Sequence, residues 1–150
     1  IGVYSKSLMK IVAETLIKLG TERAMVIHSA DGMDEISIYD KTHVIEINNS
    51  EMSSYEIDPK DYFICNSTIA DIKVNNADQS LEMMLSVIKN KDTPARMISL
   101  LNAAALVYIS GKSETISDAV KICENALKSK SVDIKVNELI KLTNSFKNVK

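Results

Sequence analysis

One stretch sets the terms for the whole chain. Ala24-Met25-Val26-Ile27-His28 is a short, continuous apolar run closed by a histidine. Ser29 to Met33 follow, with Gly32 in the turn, then the adjacent carboxylates of Asp34-Glu35, and a second apolar run begins at Ile36. A run of this length and composition predicts a strand buried on both faces, the kind that a parallel α/β sheet uses. Only this run has that character, and a complete doubly wound sheet needs several. Ligand sites in open α/β sheets collect beyond the carboxyl ends of the strands. The acidic loop is therefore where this sequence concentrates its candidate chemistry.

The elements around the stretch can be read from period and punctuation. Ser5 or Ser7 is expected to cap a helix running to about Leu19, with Leu8, Ile11, Val12, Leu16 and Leu19 on one face and Gly20 just past its end. After the loop, three short runs read as strands: Glu35 to Tyr39, Thr42 to Ile47 and Ser53 to Ile57. Asp40-Lys41 and Asn48-Asn49-Ser50 are the turns between them, so the spacing predicts an antiparallel meander. Asp58-Pro59-Lys60-Asp61 reads as a cap with proline at the first helical position, opening one short turn.

From Ala77 onward the pattern is helical. Leu81, Met84, Leu85 and Ile88 predict one buried stripe. Thr93-Pro94 opens a helix to Gly111, whose Asn102-Ala103-Ala104-Ala105 segment permits close packing and marks it as central. Thr115-Ile116-Ser117-Asp118 resembles a capping box opening a helix to about Ser129. A last amphipathic helix carries Ile134, Leu139, Ile140 and Leu142, then frays into a polar, lysine-containing tail. One buried strand, a small β-meander and several helices make up the second part of an α/β domain. The remaining strands are expected from residues upstream, an expectation in keeping with an opening Ile1-Gly2-Val3-Tyr4 that has no initiator methionine.

Composition narrows the function classes. The chain has 150 residues, enough to bury about 70% of its unfolded surface as one domain or part of one. Its net charge of −2 and scattered lysines supply no field for nucleic acid or an anionic membrane. Cys65 and Cys123 stand far apart without companion histidines, as reduced cysteines of an intracellular protein do. No apolar stretch is long enough for a membrane helix. Walker, GxGxxG and GxSxG motifs are absent, and four glycines leave no glycine-rich phosphate loop.

Asp34 and Glu35, with Asp31 nearby, are hard oxygen donors, and one or two carboxylates suffice for Mg²⁺ when waters and substrate phosphates complete its shell. Adjacent residues of a regular strand point to opposite faces. Either the backbone is still turning at Asp34-Glu35, as Gly32 would allow, or one carboxylate acts through water; the residues alone also fit a solvated acidic turn. His28 reads as a structural group bonded to the loop that follows, His43 as a surface residue, and Asn102 as a tie between its helix and a neighbouring backbone segment. The seven methionines read as core or gap-filling residues.

Together these residues resemble the C-terminal half of the anthranilate phosphoribosyltransferase family. The likeness runs through Gly2-Val3-Tyr4-Ser5 and Leu19-Gly20, and is sharpest at His28 followed by Asp31-Gly32-Met33-Asp34-Glu35-Ile36-Ser37. It resumes at Tyr55 and Asp58-Pro59-Lys60-Asp61-Tyr62 and closes with Leu100-Leu101-Asn102-Ala103-Ala104-Ala105 and Gly111-Lys112, covering roughly the first 128 residues. Ser29, Met97 and the segment from Asn75 to Ser80 depart from the family pattern.

The resemblance implies an α/β fold of the nucleoside phosphorylase/anthranilate phosphoribosyltransferase type, with residues 1–150 forming the C-terminal portion of the α/β domain. It implies a cytoplasmic enzyme, homodimeric when complete, that joins anthranilate to the phosphoribosyl group of phosphoribosyl pyrophosphate in tryptophan biosynthesis. Asp34 and Glu35 would hold the Mg²⁺ that bridges to the pyrophosphate. The helical dimerisation domain, the glycine-rich phosphoribosyl pyrophosphate loop and the anthranilate-binding arginine would all lie upstream, leaving this half alone inactive. Two alternatives stand beside this reading. A pyrimidine nucleoside phosphorylase-like enzyme would not need the Asp34-Glu35 clamp, and a non-catalytic paralogue that binds nucleic acid or serves as a structural module would call for a basic groove.

Overall fold

The computed structural model describes residues 1–146, so the polar tail beyond Phe146 lies outside the described residues. The order of elements is α1 (Met9–Lys18), β1 (Arg23–Ser29), β2 (Thr42–Asn48), β3 (Glu51–Ile57), α2 (Ala77–Ile88), α3 (Pro94–Ile109), α4 (Ile116–Lys128) and α5 (Ser131–Ser145). This is an α/β arrangement in which the three strands form one sheet in the order β1-β2-β3.

Strand β1 is mixed in its pairing. It runs antiparallel to β2, with His28 opposite His43, because the segment from Ser29 to Thr42 carries no helix and simply turns back. On its other edge β1 lies parallel to the start of the chain. There the Val3 amide donates to the Ile27 carbonyl at 3.0 Å, and the Ile27 amide to the Ile1 carbonyl at 2.9 Å. The parallel pairing expected of Ala24 to His28 thus exists on one side only, with α1 as its crossover.

Strand alternation sends side chains to two cores. Val26 and Ile47 meet Val3, Met9 and Ala13 on the α1 face, while Met25, Ile27, Val44 and Ile57 meet Leu100, Leu101, Ala104 and Ala119 on the other. Each of the larger of these side chains, Val, Leu, Ile or Met, contributes about 1.5–3 kcal/mol when fully buried. Helix α3 is central, as its small residues suggest: Ala104 is fully buried against the sheet layer and α4. Cys123 sits in this core, where burial pushes its thiol pKa up, and both cysteines are free.

Several expectations change. Helix α1 opens through a 3-10 turn at Lys6–Leu8 without a side-chain cap, because the hydroxyls of Ser5 and Ser7 bond to each other at 2.8 Å. Its buried stripe is Met9, Val12, Ala13, Leu16 and Ile17, while Ile11 and Leu19 face outward. Gly20 does end the helix, at φ +84°, with the Thr21 amide reaching back to the Leu16 carbonyl at 3.0 Å. On α2 only Ile88 of the expected stripe is buried; Leu81, Met84 and Leu85 are exposed. All of α5 lacks buried residues, and Leu139, Ile140 and Leu142 are exposed. Periodicity identified both helices correctly, but the apolar faces have no covering element among the described residues. Thr115 caps α4 as read, its hydroxyl oxygen accepting from the Asp118 amide at 3.1 Å. Asp58 likewise caps the turn at Pro59–Asp61.

The largest correction falls on Glu35 to Tyr39, which is not a strand. Ile36 and Ile38 are both buried, as alternation predicts, but amides of this segment bond to side chains instead of to a neighbouring strand. The Ser37 amide donates to Thr42 Oγ1 at 3.1 Å, and the Tyr39 amide to Ser37 Oγ at 2.9 Å. An irregular segment satisfied in this way can be buried without joining a sheet.

Candidate functional site

The loop after β1 is shaped by its own backbone before any side chain acts. The Gly32 amide donates to the Ser29 carbonyl at 3.0 Å, and the Ser29 amide to the Met33 carbonyl at 2.9 Å. Gly32 sits at φ +92°, a conformation that a side chain disfavours. Asp31 then closes the turn from within. Its Oδ1 accepts from the Met33 amide at 3.1 Å and its Oδ2 from the Ser37 hydroxyl at 2.5 Å. Burial alone would raise the Asp31 pKa, but bonds from Ser37, Ser29 and the Met33 amide outweigh it and hold the carboxyl below the ordinary carboxylate range. Asp31 is therefore committed to the loop and is not a free donor beside Asp34 and Glu35.

Asp34 and Glu35 are the groups left over. Both are exposed, and the backbone bends at both positions, so the two side chains are not forced to opposite faces as they would be on a strand. Burial of the Glu35 carboxyl, and after it the hydrogen bond and charge of Asp34, raise its pKa above the ordinary range. The two acids are thus close enough to crowd each other. Of the two backbone geometries open from the residues alone, the turning one is realised.

A cavity of about 390 Å³ opens beside the pair, walled by Gly2, Ala24, Ile36, Asn102 and Leu106, with Arg23 also on its lining. Glu35 also borders a second cavity of about 490 Å³ between the loop, α2 and α3, lined by Met33, Met83 and Val87 among others. Three methionines, Met33, Met83 and Met84, thus line an open cavity and are not core residues.

Among the described residues, no cluster of three or more His, Cys, Asp or Glu side chains is arranged to hold a metal ion. The donor set fits Mg²⁺ nonetheless, since that ion is held by one or two carboxylates with waters and phosphates completing the octahedron. Two mutually repelling carboxylates at the mouth of a cavity are such a pair.

The other residues singled out from the sequence are structural. The His28 ring pairs through Nδ1 with the Val3 carbonyl at 2.9 Å, so it fastens the first residues of the chain and not the loop that follows it. His43 is partly buried beside Glu56, its Nδ1 3.0 Å from the carboxylate. Asn102 does tie helix to loop. Its Oδ1 accepts from the Ile36 amide at 2.9 Å, and its Nδ2 donates to the Ile36 carbonyl at 2.8 Å and to the Ile98 carbonyl at 2.9 Å.

Three residues escaped sequence reasoning. Gly2 lies so close to the loop that a Cβ there would sit 1.6 Å from the Asp34 carbonyl oxygen. Arg23 lies with its guanidinium 5.6 Å from the Tyr108 ring centroid and donates to the Tyr108 carbonyl at 3.3 Å, and its buried Nε finds no partner among the described residues. Glu46, buried on β2, accepts from the hydroxyls of Tyr55 at 2.7 Å and Tyr108 at 2.9 Å. A lone charge inside the apolar run Val44 to Ile47 was the signal available for it.

Residues 1–131 match the model of a family described as the glycosyl transferase family, a/b domain. An anthranilate phosphoribosyltransferase of Nitrosomonas eutropha is 37% identical over 146 residues, which are 97% of this chain and 43% of that protein. One of Methylobacillus flagellatus is 40% identical over 138 residues, 92% of this chain and 40% of its own length. The structure of anthranilate phosphoribosyltransferase from Saccharomyces cerevisiae in complex with PRPP and Mg superposes with a TM-score of 0.85 at 18% identity, over 96% of this chain and 42% of that one. At that identity the likeness shows the fold. The chain spans less than half the length of the curated relatives it matches.

Proposed function

This chain belongs to the glycosyl transferase family, a/b domain, and we propose that it is the C-terminal portion of that domain in an anthranilate phosphoribosyltransferase. The working enzyme transfers the phosphoribosyl group of phosphoribosyl pyrophosphate to anthranilate, a step of tryptophan biosynthesis that would proceed in the cytoplasm. The observation that carries this reading is the loop itself. Asp31 is consumed in shaping it, and Asp34 and Glu35 are left uncommitted beside a cavity, within a stretch alignable to the named relatives.

Each residue has a definable part. Asp34 and Glu35 would hold Mg²⁺ between them. Asp31 and Ser37 keep the loop turned, so that Asp34 and Glu35 are not held to the opposite faces of a strand. Bound there, the ion would neutralise charge gathering on the departing pyrophosphate. The rest of the relatives' length would supply the phosphate-binding loop, the anthranilate contacts and a dimer interface. The exposed apolar residues Leu81, Met84 and Leu85 on α2 support an arrangement in which further protein covers this half. Among the described residues no helix is long and apolar enough to cross a membrane.

The test is the double change Asp34→Asn with Glu35→Gln in the intact protein, assayed for phosphoribosyl transfer to anthranilate across a Mg²⁺ series. Turnover at limiting Mg²⁺ is expected to fall by more than the roughly 10- to 100-fold typical of residues that only support a metal ligand. Unchanged turnover there would remove the metal site.

A further inference from the structure

We propose that Gly2 and Asn102 are the two jaws of a clamp that positions the Asp34–Glu35 carboxylates; the inference rests on the metal reading above. Neither residue carries chemistry of its own. Asn102 grips the residue after Glu35 through both of its backbone groups, accepting from the Ile36 amide at 2.9 Å and donating to the Ile36 carbonyl at 2.8 Å. Its third bond, to the Ile98 carbonyl at 2.9 Å, anchors the amide to its own helix, so Asn102 Nδ2 spans from α3 to the loop. This use of donors and acceptor in one plane fixes both the position and the tilt of the Ile36 peptide.

The second contact is made by Gly2. A Cβ at residue 2 would lie 1.6 Å from the Asp34 carbonyl oxygen, 2.6 Å from its carbon and 3.1 Å from the Asp34 Cβ. All but the last are backbone atoms, so no rotamer change relieves the clash. The glycine is itself held in place by the flanking ladder bonds of Ile1 and Val3 to Ile27. The backbone of Asp34 therefore rests against the first residues of the chain, and that of Ile36 hangs from α3. The two carboxylates project from the short span between these fixed points. Ile36, only 1% exposed, keeps the span from rotating. Both jaws line the cavity that Asp34 and Glu35 border. A carboxylate pair fixed by its surroundings binds a cation without first losing the freedom of a mobile loop.

The experiment uses the intact protein with three changes: Asn102→Asp, Gly2→Ala, and the reference pair Asp34→Asn with Glu35→Gln. The first of these keeps the side chain's shape and its acceptor but loses both donor bonds. It also adds a negative charge beside the cavity that by attraction alone would strengthen Mg²⁺ binding. A weakened affinity therefore reports lost positioning, and Gly2→Ala gives the charge-neutral comparison. Two quantities are read: amide hydrogen exchange of residues 33–37 without metal, and the Mg²⁺ dissociation constant by titration calorimetry. The expected result for Asn102→Asp and Gly2→Ala is faster exchange confined to the loop, with amides of β2 and α4 unchanged, and Mg²⁺ binding weakened about tenfold. Faster loop exchange with unchanged Mg²⁺ affinity would make the two residues merely structural and overturn the proposal. So would unchanged exchange. If Gly2→Ala does not fold, Asn102→Asp decides alone. The reference pair separates the two levels. Undiminished binding in it removes the metal site and the clamp with it, whereas binding lost there but kept in the clamp variants overturns the clamp only.

Discussion

Two acidic places in this chain are opposites. On β2, Glu46 is buried and both of its oxygens are taken by tyrosine hydroxyls, one from β3 and one from α3. At the loop after β1, Asp34 and Glu35 are exposed, crowd each other and carry no comparable bonds to the rest of the fold. A carboxylate whose acceptors are filled from within holds elements together; a pair whose acceptors are left open costs stability, and under the proposed function a cation would offset that cost. Asp31 lies between the extremes, close to the open pair in sequence but spent like Glu46 on internal bonds.

The contrast breaks first at Glu46. Truncation to alanine leaves two tyrosine hydroxyls without their acceptor and is expected to lower stability by on the order of 3 kcal/mol, measured by urea unfolding of the intact protein. A loss below about 1 kcal/mol would mean that the site behaves as an ordinary surface contact and that the comparison fails.

The pH dependence separates the places next. Burial, and after it Glu46, raises the pKa of the Tyr55 and Tyr108 phenols in the folded state. Groups raised on folding contribute stability that is complete below their unfolded values and lost as pH rises through the folded ones. The Asp31 carboxyl is lowered on folding, so its contribution is complete above the ordinary carboxylate range and lost as pH falls towards the folded value. Stability should therefore decline at both ends. Tyr108→Phe should soften the alkaline limb and Ser37→Ala the acid one. Exchanged effects in a denaturation series would contradict the assignment.

The smallest effect is expected at the open pair. Glu35→Gln should change stability without metal by no more than about 0.5 kcal/mol, since it removes a repulsion and no bond to another element of the fold. Calorimetric unfolding measures it, and a loss like that at Glu46 would show that Glu35 is structural after all.

The same contrast explains what could be read from the chain. The apolar run Ala24 to His28, the glycine turn and the open acids are local, and each declares itself through period and residue type. The role of Asp31 was less visible, because the bond that absorbs it comes from Ser37, a residue with many uses. The shape of Glu35 to Tyr39 was hidden for a stronger reason. Alternation at Ile36 and Ile38 is that of a strand, but the partner of the Ile36 peptide is a side chain 66 positions away. Gly2 looked unremarkable because nothing in a sequence marks which backbone will approach it. On α2 the period gave the helix and its apolar face but could not say whether that face would be covered.

The contact between residue 2 and residue 34, and that between residues 36 and 102, have a consequence for how this chain can vary. Positions acting on one peptide segment do not respond independently to substitution; their effects couple by roughly 0.5–3 kcal/mol. A change at Asp34 or Ile36 that shifts the backbone alters the room for residue 2 and the reach required of residue 102. In the genetics of such a protein these four positions form one epistatic unit. A replacement tolerated in one background at Gly2 or Asn102 is expected to fail in another, so the placing of Asp34 and Glu35 is inherited together with residues outside the pair.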